Sequence, residues 1–171
     1  MTDAERMSTV IGTLPRRARQ ASRLGSRAEL WSDLGEALEP GSAESLLVLI
    51  AFDGLDAYEG LFGRVEAQHI VATLAGRLSL ELGSSGRFYQ PRSHEIAIIL
   101  ELPIDAALPL VDAALGSLEI AGELFLVTAG YGVTLLPDEA EDPVEAMMVA
   151  DRQLELRATA RRSRERRTNS R

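Results

Sequence analysis

Four consecutive polar residues are the strongest candidates for chemistry in this sequence: Arg92, Ser93, His94 and Glu95. The apolar run that ends this group, residues 95–100, is β-branched and almost uncharged, which is typical of a strand buried on both faces. With a short strand over residues 87–90, it predicts a β-hairpin whose turn is residues 91–94. Because such a turn holds its side chains in place, the imidazole and carboxylate could form an acid–base pair. The guanidinium could bind a phosphate.

Simpler interpretations of these residues remain open. An exposed hairpin turn carries polar side chains without any catalytic role, and Arg92 has no glycine-rich phosphate loop or second cation close in sequence. Asp53 could be a metal ligand or merely a turn residue beside Gly54. With only two histidines, His69 and His94, and no cysteine, the chain excludes thiolate metal sites and disfavours a multi-histidine site.

Composition narrows the class of protein. The 171 residues suffice for one ordinary domain, and 46% hydrophobic content is that of a soluble globular protein. The net charge of −8 argues against a nucleic-acid binder. The longest apolar run, residues 46–52, is far shorter than the ~20 residues that span a bilayer. No secretion signal is indicated, so we expect no membrane association and a cytoplasmic location. All 18 basic residues are arginines, so no lysine can clamp a phosphate.

Apolar periodicity predicts the elements that position the turn. Ser26 and Glu29 form a capping-box pattern at the start of a helix. An unbroken apolar strand over residues 44–52 should lie centrally in a sheet. Further segments follow as a helix over 65–82, the hairpin, a helix over 103–118, a strand over 124–133 and a helix from Pro143. This order predicts an α/β (α+β) sandwich with a mainly antiparallel sheet flanked by helices, nearest to a ferredoxin-type β-α-β-β-α-β core.

Several strings resemble the GGDEF domain, the diguanylate cyclase fold, in the right order and at the right distances. They are SRLGSRAEL at 22–30, AFDGLDAYEGLFGR at 51–64, VTAGYGV at 127–133 and ADRQLELRA at 150–158. The turn that names the family falls on Arg92, Ser93, His94, Glu95 and Ile96. The resemblance implies a degenerate GGDEF-like domain at 22–160. The polar composition on either side of it predicts a partly helical lead-in at 1–21 and an arginine-rich flexible tail at 161–171.

The resemblance also implies that most of the family's active-site residues are replaced in this sequence. Its metal-binding acids fall on Ala51 and His94, and the two glycines that let the substrate approach fall on Arg92 and Ser93. The positions that read guanine fall on Glu59 and Gln68, and the two phosphate-binding lysines fall on Asp56 and Ala158. The product-inhibition motif RxxD would occupy Gly83 and Gly86 and is missing. The vestigial metal and nucleotide positions are therefore Ala51, Phe52, Asp53, Asp56, Glu59 and Gln68.

These substitutions predict a catalytically inactive GGDEF-like domain, without metal or other cofactor. It would act as a regulatory or protein-interaction module in bacterial cyclic di-GMP signalling, with a protein partner that a second copy could supply. One alternative is a nucleotide receptor that binds GTP or cyclic di-GMP in the vestigial cleft. Another, less favoured, is a residual diguanylate cyclase, since neither lysine nor the metal pair remains.

Overall fold

The computed structural model describes residues 24–116, 120–122 and 125–168 of the chain. Six elements precede the hairpin turn or end at it: α1 (Arg27–Ala37), β1 (Ser45–Asp53), α2 (Leu55–Phe62), α3 (Arg64–Leu82), a short 3₁₀ turn (Gly83–Ser85) and β2 (Gly86–Tyr89). Five follow it: β3 (Glu95–Leu100), α4 (Ile104–Gly116), β4 (Ile120–Gly122), β5 (Phe125–Leu136) and α5 (Pro143–Thr168).

The described strands form one sheet in the order β2-β3-β1-β5-β4, and all neighbours are antiparallel. β1 lies in the centre, as its unbroken apolar sequence predicts, with β3 on one side and β5 on the other. The connection from β1 through α2 and α3 to β2 skips over β3, which is the split β-α-β arrangement of ferredoxin-like cores. The predicted fold class is therefore confirmed.

Both faces of the sheet are covered by helices. Because successive strand residues point to opposite faces, Leu46, Val48 and Ile50 join the core formed with α3 and α4. Leu47 and Leu49 join a second core formed with α1 and α5. All five side chains are fully buried, and each contributes roughly 1.5–3 kcal/mol before chain entropy is counted.

Two local features fix the helices of the second core. At the start of α1, the Ser26 hydroxyl accepts from the Glu29 N–H while Glu29 Oε2 accepts from the Ser26 N–H, so the predicted capping box is present. α5 lies so close to β5 that a Cβ on Gly132 would come within 1.8 Å of the Ala150 carbonyl oxygen. Only glycine allows this approach of strand and helix.

The structure adds elements that periodicity did not indicate. β4 was not predicted, because three residues between two longer elements leave no periodic pattern. α5 continues to Thr168, beyond the predicted domain boundary at residue 160, so the flexible-tail prediction for 161–171 falls largely on helical backbone. The predicted lead-in, residues 1–21, lies outside the described residues. Among the described helices, none is both long and apolar enough to cross a bilayer.

Candidate functional site

The turn at residues 91–94 lies beside the end of β1. The Phe52 N–H donates to the His94 carbonyl oxygen over 3.2 Å, and Ala51 faces Glu95 in the β1–β3 register. The chain leaves β1 through Gly54, whose φ of 91° favours glycine, and enters α2 directly. The hairpin turn and the first turn of α2 therefore lie side by side, which brings together residues that are 35 and more positions apart.

His94 is held between two carboxylates of α2. Its Nδ1 lies 2.7 Å from Asp56 Oδ1, and its Nε2 lies 2.9 Å from Glu59 Oε2. Asp56 and Glu59 are three residues apart, which places both on one face of the helix. The imidazole is only 21% exposed, whereas Asp56 is 91% exposed. Both ring nitrogens are thus occupied by groups of the protein itself.

Arg92 and Glu95 form a second pair across the turn. Arg92 Nη1 donates to Glu95 Oε1 over 2.7 Å. This hydrogen bond, together with the negative charge of Glu95, raises the pKa of Arg92. Glu95 is buried, at 8% exposure, and its Oε2 makes no hydrogen bond within the described residues. The guanidinium, which is 61% exposed, is the cation that accompanies this buried carboxylate.

Two glutamines fasten the turn to α3. The Gln90 amide donates to the Ser93 carbonyl oxygen over 3.0 Å and to Gln68 Oε1 over 3.1 Å. Gln68 also donates to the Ser93 carbonyl oxygen, over 3.4 Å. The Gln68 position, which the family resemblance assigns to guanine recognition, is here engaged by the hairpin.

The structure brings the predicted site residues to one end of the sheet, but their partners differ from those expected. His94 and Glu95 do not pair with each other, because one bonds to α2 and the other to Arg92. The interpretation of both as exposed turn residues is wrong for Glu95, which is buried. Phe52 and Ile96 are buried in the α3–α4 core, whereas Asp53 is exposed at the end of β1. The sequence offered one signal of the His94 contacts: Asp56 and Glu59 are three residues apart, which places both carboxylates on one side of α2.

The residues present do not fit the magnesium ion of active cyclases. Mg²⁺ requires hard oxygen ligands in near-octahedral geometry. Ala51 offers only a methyl group, His94 offers nitrogens that already meet carboxylates, and one oxygen of Glu95 is bonded to Arg92. Across the described part of the chain, no three histidine, aspartate or glutamate side chains converge as a metal-binding group. Of Ala51, His94 and Glu95, only Glu95 offers an oxygen, Oε2, that could still coordinate a metal, and one ligand atom does not form a binding site for Mg²⁺.

A polar network that the sequence did not indicate joins α1 to β2. The Tyr89 hydroxyl donates to Asp33, and Arg87 Nη1 lies 3.0 Å from the same carboxylate. Burial, and then the hydrogen bond to Asp33, raise the pKa of Tyr89. These residues line a cavity of about 480 Å³ together with Gly83 and Gly86, the positions of the missing RxxD motif. The guanidinium of Arg87, at the wall of this cavity, forms salt bridges with Asp33 and Glu101.

No protein-family model matches the sequence. No curated protein matches it either. Solved structures do match in fold: the active GGEEF domain of a diguanylate cyclase from Vibrio cholerae has a TM-score of 0.68 at 16% identity, covering 78% of this chain and 90% of that chain. The GGDEF domain of DgcB from Caulobacter crescentus, in complex with c-di-GMP, has a TM-score of 0.68 at 15% identity, with 80% and 86% coverage.

A third neighbour is the diguanylate cyclase SiaD of Pseudomonas aeruginosa in complex with its activator SiaC. Its TM-score is 0.68 at 19% identity, covering 94% of this chain and 66% of that chain. At these identities the likeness concerns the fold. The chain therefore has the fold of the GGDEF domains of diguanylate cyclases, as the motif resemblance predicted.

Proposed function

We propose that this GGDEF-fold domain is catalytically inactive and acts as a regulatory or protein-interaction module in bacterial cyclic di-GMP signalling, in the cytoplasm. The observation that carries the proposal is the position of His94 between Asp56 and Glu59, at 2.7 and 2.9 Å. The side chains that would have to meet a metal or a nucleotide bond to one another instead.

Charge at the site supports the absence of turnover. Phosphoryl transfer depends on positioning the triphosphate and on neutralising its developing charge, usually with Mg²⁺ and cationic side chains. Asp56 stands where the family has a phosphate-binding lysine, so the local sign is reversed. Because Asp56 is 91% exposed, water screens its charge, and each repulsive unit pair at about 4 Å costs roughly 1–4 kcal/mol against a polyanion. Arg92, the nearby cation, is bonded to Glu95.

The turn itself supports the same proposal. Family members place two glycines where Arg92 and Ser93 stand, and both of these side chains are exposed at the turn, where a substrate would have to approach. The Ser93 carbonyl oxygen accepts from Gln90 and Gln68, which fixes the backbone of the turn. A nucleotide would have to displace these contacts before it reached the end of β1.

A cyclase assay tests the proposal directly. The protein is incubated with GTP and either Mg²⁺ or Mn²⁺, next to an active GGDEF-fold cyclase as positive control, and product is separated by chromatography. We expect no cyclic di-GMP from the wild-type protein. Product formed at a rate comparable with that of the control enzyme would overturn the proposal.

A matched variant tests the physical reason. Ala51→Asp combined with His94→Asp restores two carboxylates at the positions of the family's metal ligands. We expect Mn²⁺ to raise the melting temperature of this variant and to leave that of the wild type unchanged. Equal responses of both proteins would contradict the account of the lost metal site, whatever the cyclase assay gives.

Nucleotide binding without turnover is a second candidate function. It is favoured by the DgcB domain of the same fold, whose structure is a complex with c-di-GMP. Calorimetry with GTP and with cyclic di-GMP decides between a receptor and a purely protein-binding module. Heat of binding with either nucleotide would favour the receptor; none, and no thermal shift, would remove it.

A protein partner is the remaining part of the proposal. SiaD, a diguanylate cyclase of the same fold, was solved in complex with its activator SiaC, so proteins that contain this fold do form complexes with other proteins. For the present chain we propose a protein partner without naming it. Co-purification from cells, compared with an Asp56→Arg/Glu59→Arg variant that alters the α2 surface, would test whether the site side of the domain takes part.

A further inference from the structure

Among the described strands, β2 forms one edge of the sheet, and the chain itself begins to cover that edge. The Gly25 N–H donates to the Phe88 carbonyl oxygen over 2.8 Å, and the Gly25 carbonyl accepts from the Gln90 N–H over 2.9 Å. These two bonds flank Tyr89 and form a parallel bridge between Gly25 and Tyr89. A Cβ on Gly25 would lie 2.5 Å from Tyr89 Cδ1, so the backbone at Gly25 lies flush against β2.

Two further backbone groups of β2 face the same edge. In a strand, the N–H and the carbonyl of one residue point to one edge, and those of the next residue point to the other. Because the Phe88 carbonyl meets Gly25, the Phe88 N–H and the Gly86 carbonyl also face outward. In a parallel register set by the Gly25 bridge, the residue opposite these two groups is residue 23, just before the described part of the chain. Exposed edge groups of this kind favour the addition of another strand.

The cavity of about 480 Å³ lies along this edge, since its lining includes Gly25 and every residue of β2. Glu29 and Asp33 line it from α1, and Arg87 lines it while forming salt bridges with Asp33 and Glu101. These four charged side chains are three acids and one base. Residues 16–23 of the sequence, in contrast, contain four arginines and no acid. The segment nearest to the edge in sequence therefore carries the complementary charge.

We propose that residues 22–24 continue the pairing along β2 as a short parallel strand, and that the basic segment 16–23 thereby covers the cavity and supports the hairpin turn. In this register the N–H of residue 23 donates to the Gly86 carbonyl, and the Phe88 N–H donates to the carbonyl of residue 23. The occupant is a segment of this chain because it is joined directly to the Gly25 bridge, so that pairing requires no loop closure. The inference does not depend on whether the domain is catalytically inactive.

The support of the turn follows from one residue that both regions share. The Gly25 carbonyl accepts from the Gln90 N–H, and the Gln90 side chain donates to the Ser93 carbonyl oxygen and to Gln68 Oε1. The backbone of Gln90 is thus bonded to the segment at Gly25, and its side chain is bonded to the turn of the candidate site. Release of the segment from β2 should therefore loosen the turn.

Proline substitutions in the full chain test the pairing at a single bond. Arg23→Pro removes the N–H that would meet the Gly86 carbonyl, whereas Ser22→Pro removes an N–H that would point away from β2. Arg23→Ala is a second control, because it keeps the N–H and removes the charge of the side chain. The readout is hydrogen exchange of the Phe88 amide, measured by NMR, since this N–H faces the edge.

We expect the Phe88 amide to exchange at least about tenfold more slowly in the wild type and in Ser22→Pro than in Arg23→Pro. Arg23→Ala should stay within about threefold of the wild type, because the backbone bonds remain. Higher salt should speed the exchange in the wild type, since the charges involved lie at the surface. The Glu95 N–H, which is bonded within the turn, should exchange faster in Arg23→Pro than in Ser22→Pro. The Val48 amide, in the centre of the sheet, should be unchanged and reports that the fold is intact.

Four outcomes would overturn the proposal or one part of it. Equal exchange of the Phe88 amide in the wild type and both proline variants would show that the segment does not pair with β2. Equal acceleration by both prolines would contradict the register. Slow exchange that is lost on dilution of the protein would show that a segment of a second copy covers the edge. Faster exchange of the Phe88 amide in Arg23→Pro with an unchanged Glu95 amide would refute the support of the turn.

Discussion

At the scale of single residues, the buried carboxylate of Glu95 determines how much a substitution in the turn lowers the free energy of unfolding. A buried charge is tolerated when it is paired and hydrogen-bonded, and it becomes costly when its partner is removed. Glu95 has one such partner among the described residues, Arg92, at 2.7 Å. The turn is thus held by a contact that a GGDEF motif with two glycines lacks.

We predict that Arg92→Ala lowers the free energy of unfolding by about 1–3 kcal/mol, because it leaves the Glu95 carboxylate buried without its cation. The exposure of the guanidinium, 61%, favours the lower half of this range. Urea denaturation at neutral pH measures the loss.

Glu95→Gln provides the control for this prediction. In the Arg92→Ala background it removes the unpaired charge and should recover part of the lost stability. A double-mutant cycle without coupling between positions 92 and 95 would contradict the argument.

Tyrosines dominate the alkaline behaviour of this chain, because it contains neither lysine nor cysteine to titrate near pH 10. Burial and the bond to Asp33 raise the pKa of Tyr89, and burial and a bond to Asp112 raise that of Tyr131. The unfolded chain then loses these protons at lower pH than the native chain. Their contribution to stability is complete below about pH 10 and is lost as the pH rises further.

We therefore predict that the free energy of unfolding falls steeply above pH 10, by up to about 1.4 kcal/mol per pH unit for each shifted tyrosine. Tyr89→Phe should lower stability at neutral pH, since Asp33 loses a donor, but should flatten the alkaline decline. Chemical denaturation between pH 8 and 11 measures both slopes. Parallel slopes for variant and wild type would contradict a raised pKa of Tyr89.

At the scale of elements, the contact between β5 and α5 depends on one glycine. Gly130 and Gly132 lie two positions apart on β5 and point to the same side. A Cβ on Gly132 would meet backbone atoms of α5 at 1.8 Å, whereas on Gly130 it would meet Leu154 Cδ1 at an ordinary 3.5 Å. Because the obstacle at Gly132 is backbone, it cannot turn away as a side chain would.

We predict that Gly132→Ala destabilises the fold by about 3 kcal/mol or more, at or beyond the upper end of overpacking effects. Gly130→Ala is its matched control and should be neutral or slightly stabilising, because alanine loses less chain entropy than glycine. Thermal unfolding of the two variants measures the difference. Similar melting temperatures would show that α5 moves away from the sheet at little cost.

The sequence predicted elements well where a pattern is continuous and contacts poorly where they join distant segments. The apolar run of β1 and the capping box of α1 were readable because each signal lies within one element. His94 pairs with Asp56 and Glu59, which lie 38 and 35 positions earlier, and no local pattern reports such a pairing. The burial of Glu95 likewise follows from its register opposite Ala51.

At the scale of the whole molecule, the described hydrophobic cores end before the arginine-rich segment at residues 161–171 begins. Both hydrophobic cores are built from described residues between positions 24 and 150. Residues 161–171 contain six arginines and one glutamate. The part of the chain that holds the sheet together is therefore much more acidic than the net charge of −8 suggests.

We predict that a chain ending at residue 160 keeps its fold, because every described core residue lies at or before position 150. Its net charge should change from −8 to −13, since six arginines and one glutamate are lost. Since the removed segment is almost entirely polar or charged, it adds little apolar burial, and we expect the free energy of unfolding to change by less than about 1 kcal/mol when both proteins are compared at the same low concentration. A chain ending at residue 145 is the control: it lacks Ala146, Met147 and Ala150 of the second core and should not give a cooperative transition. Calorimetry distinguishes these outcomes, and loss of the transition in the 160-residue chain would place part of the folding domain beyond its predicted boundary.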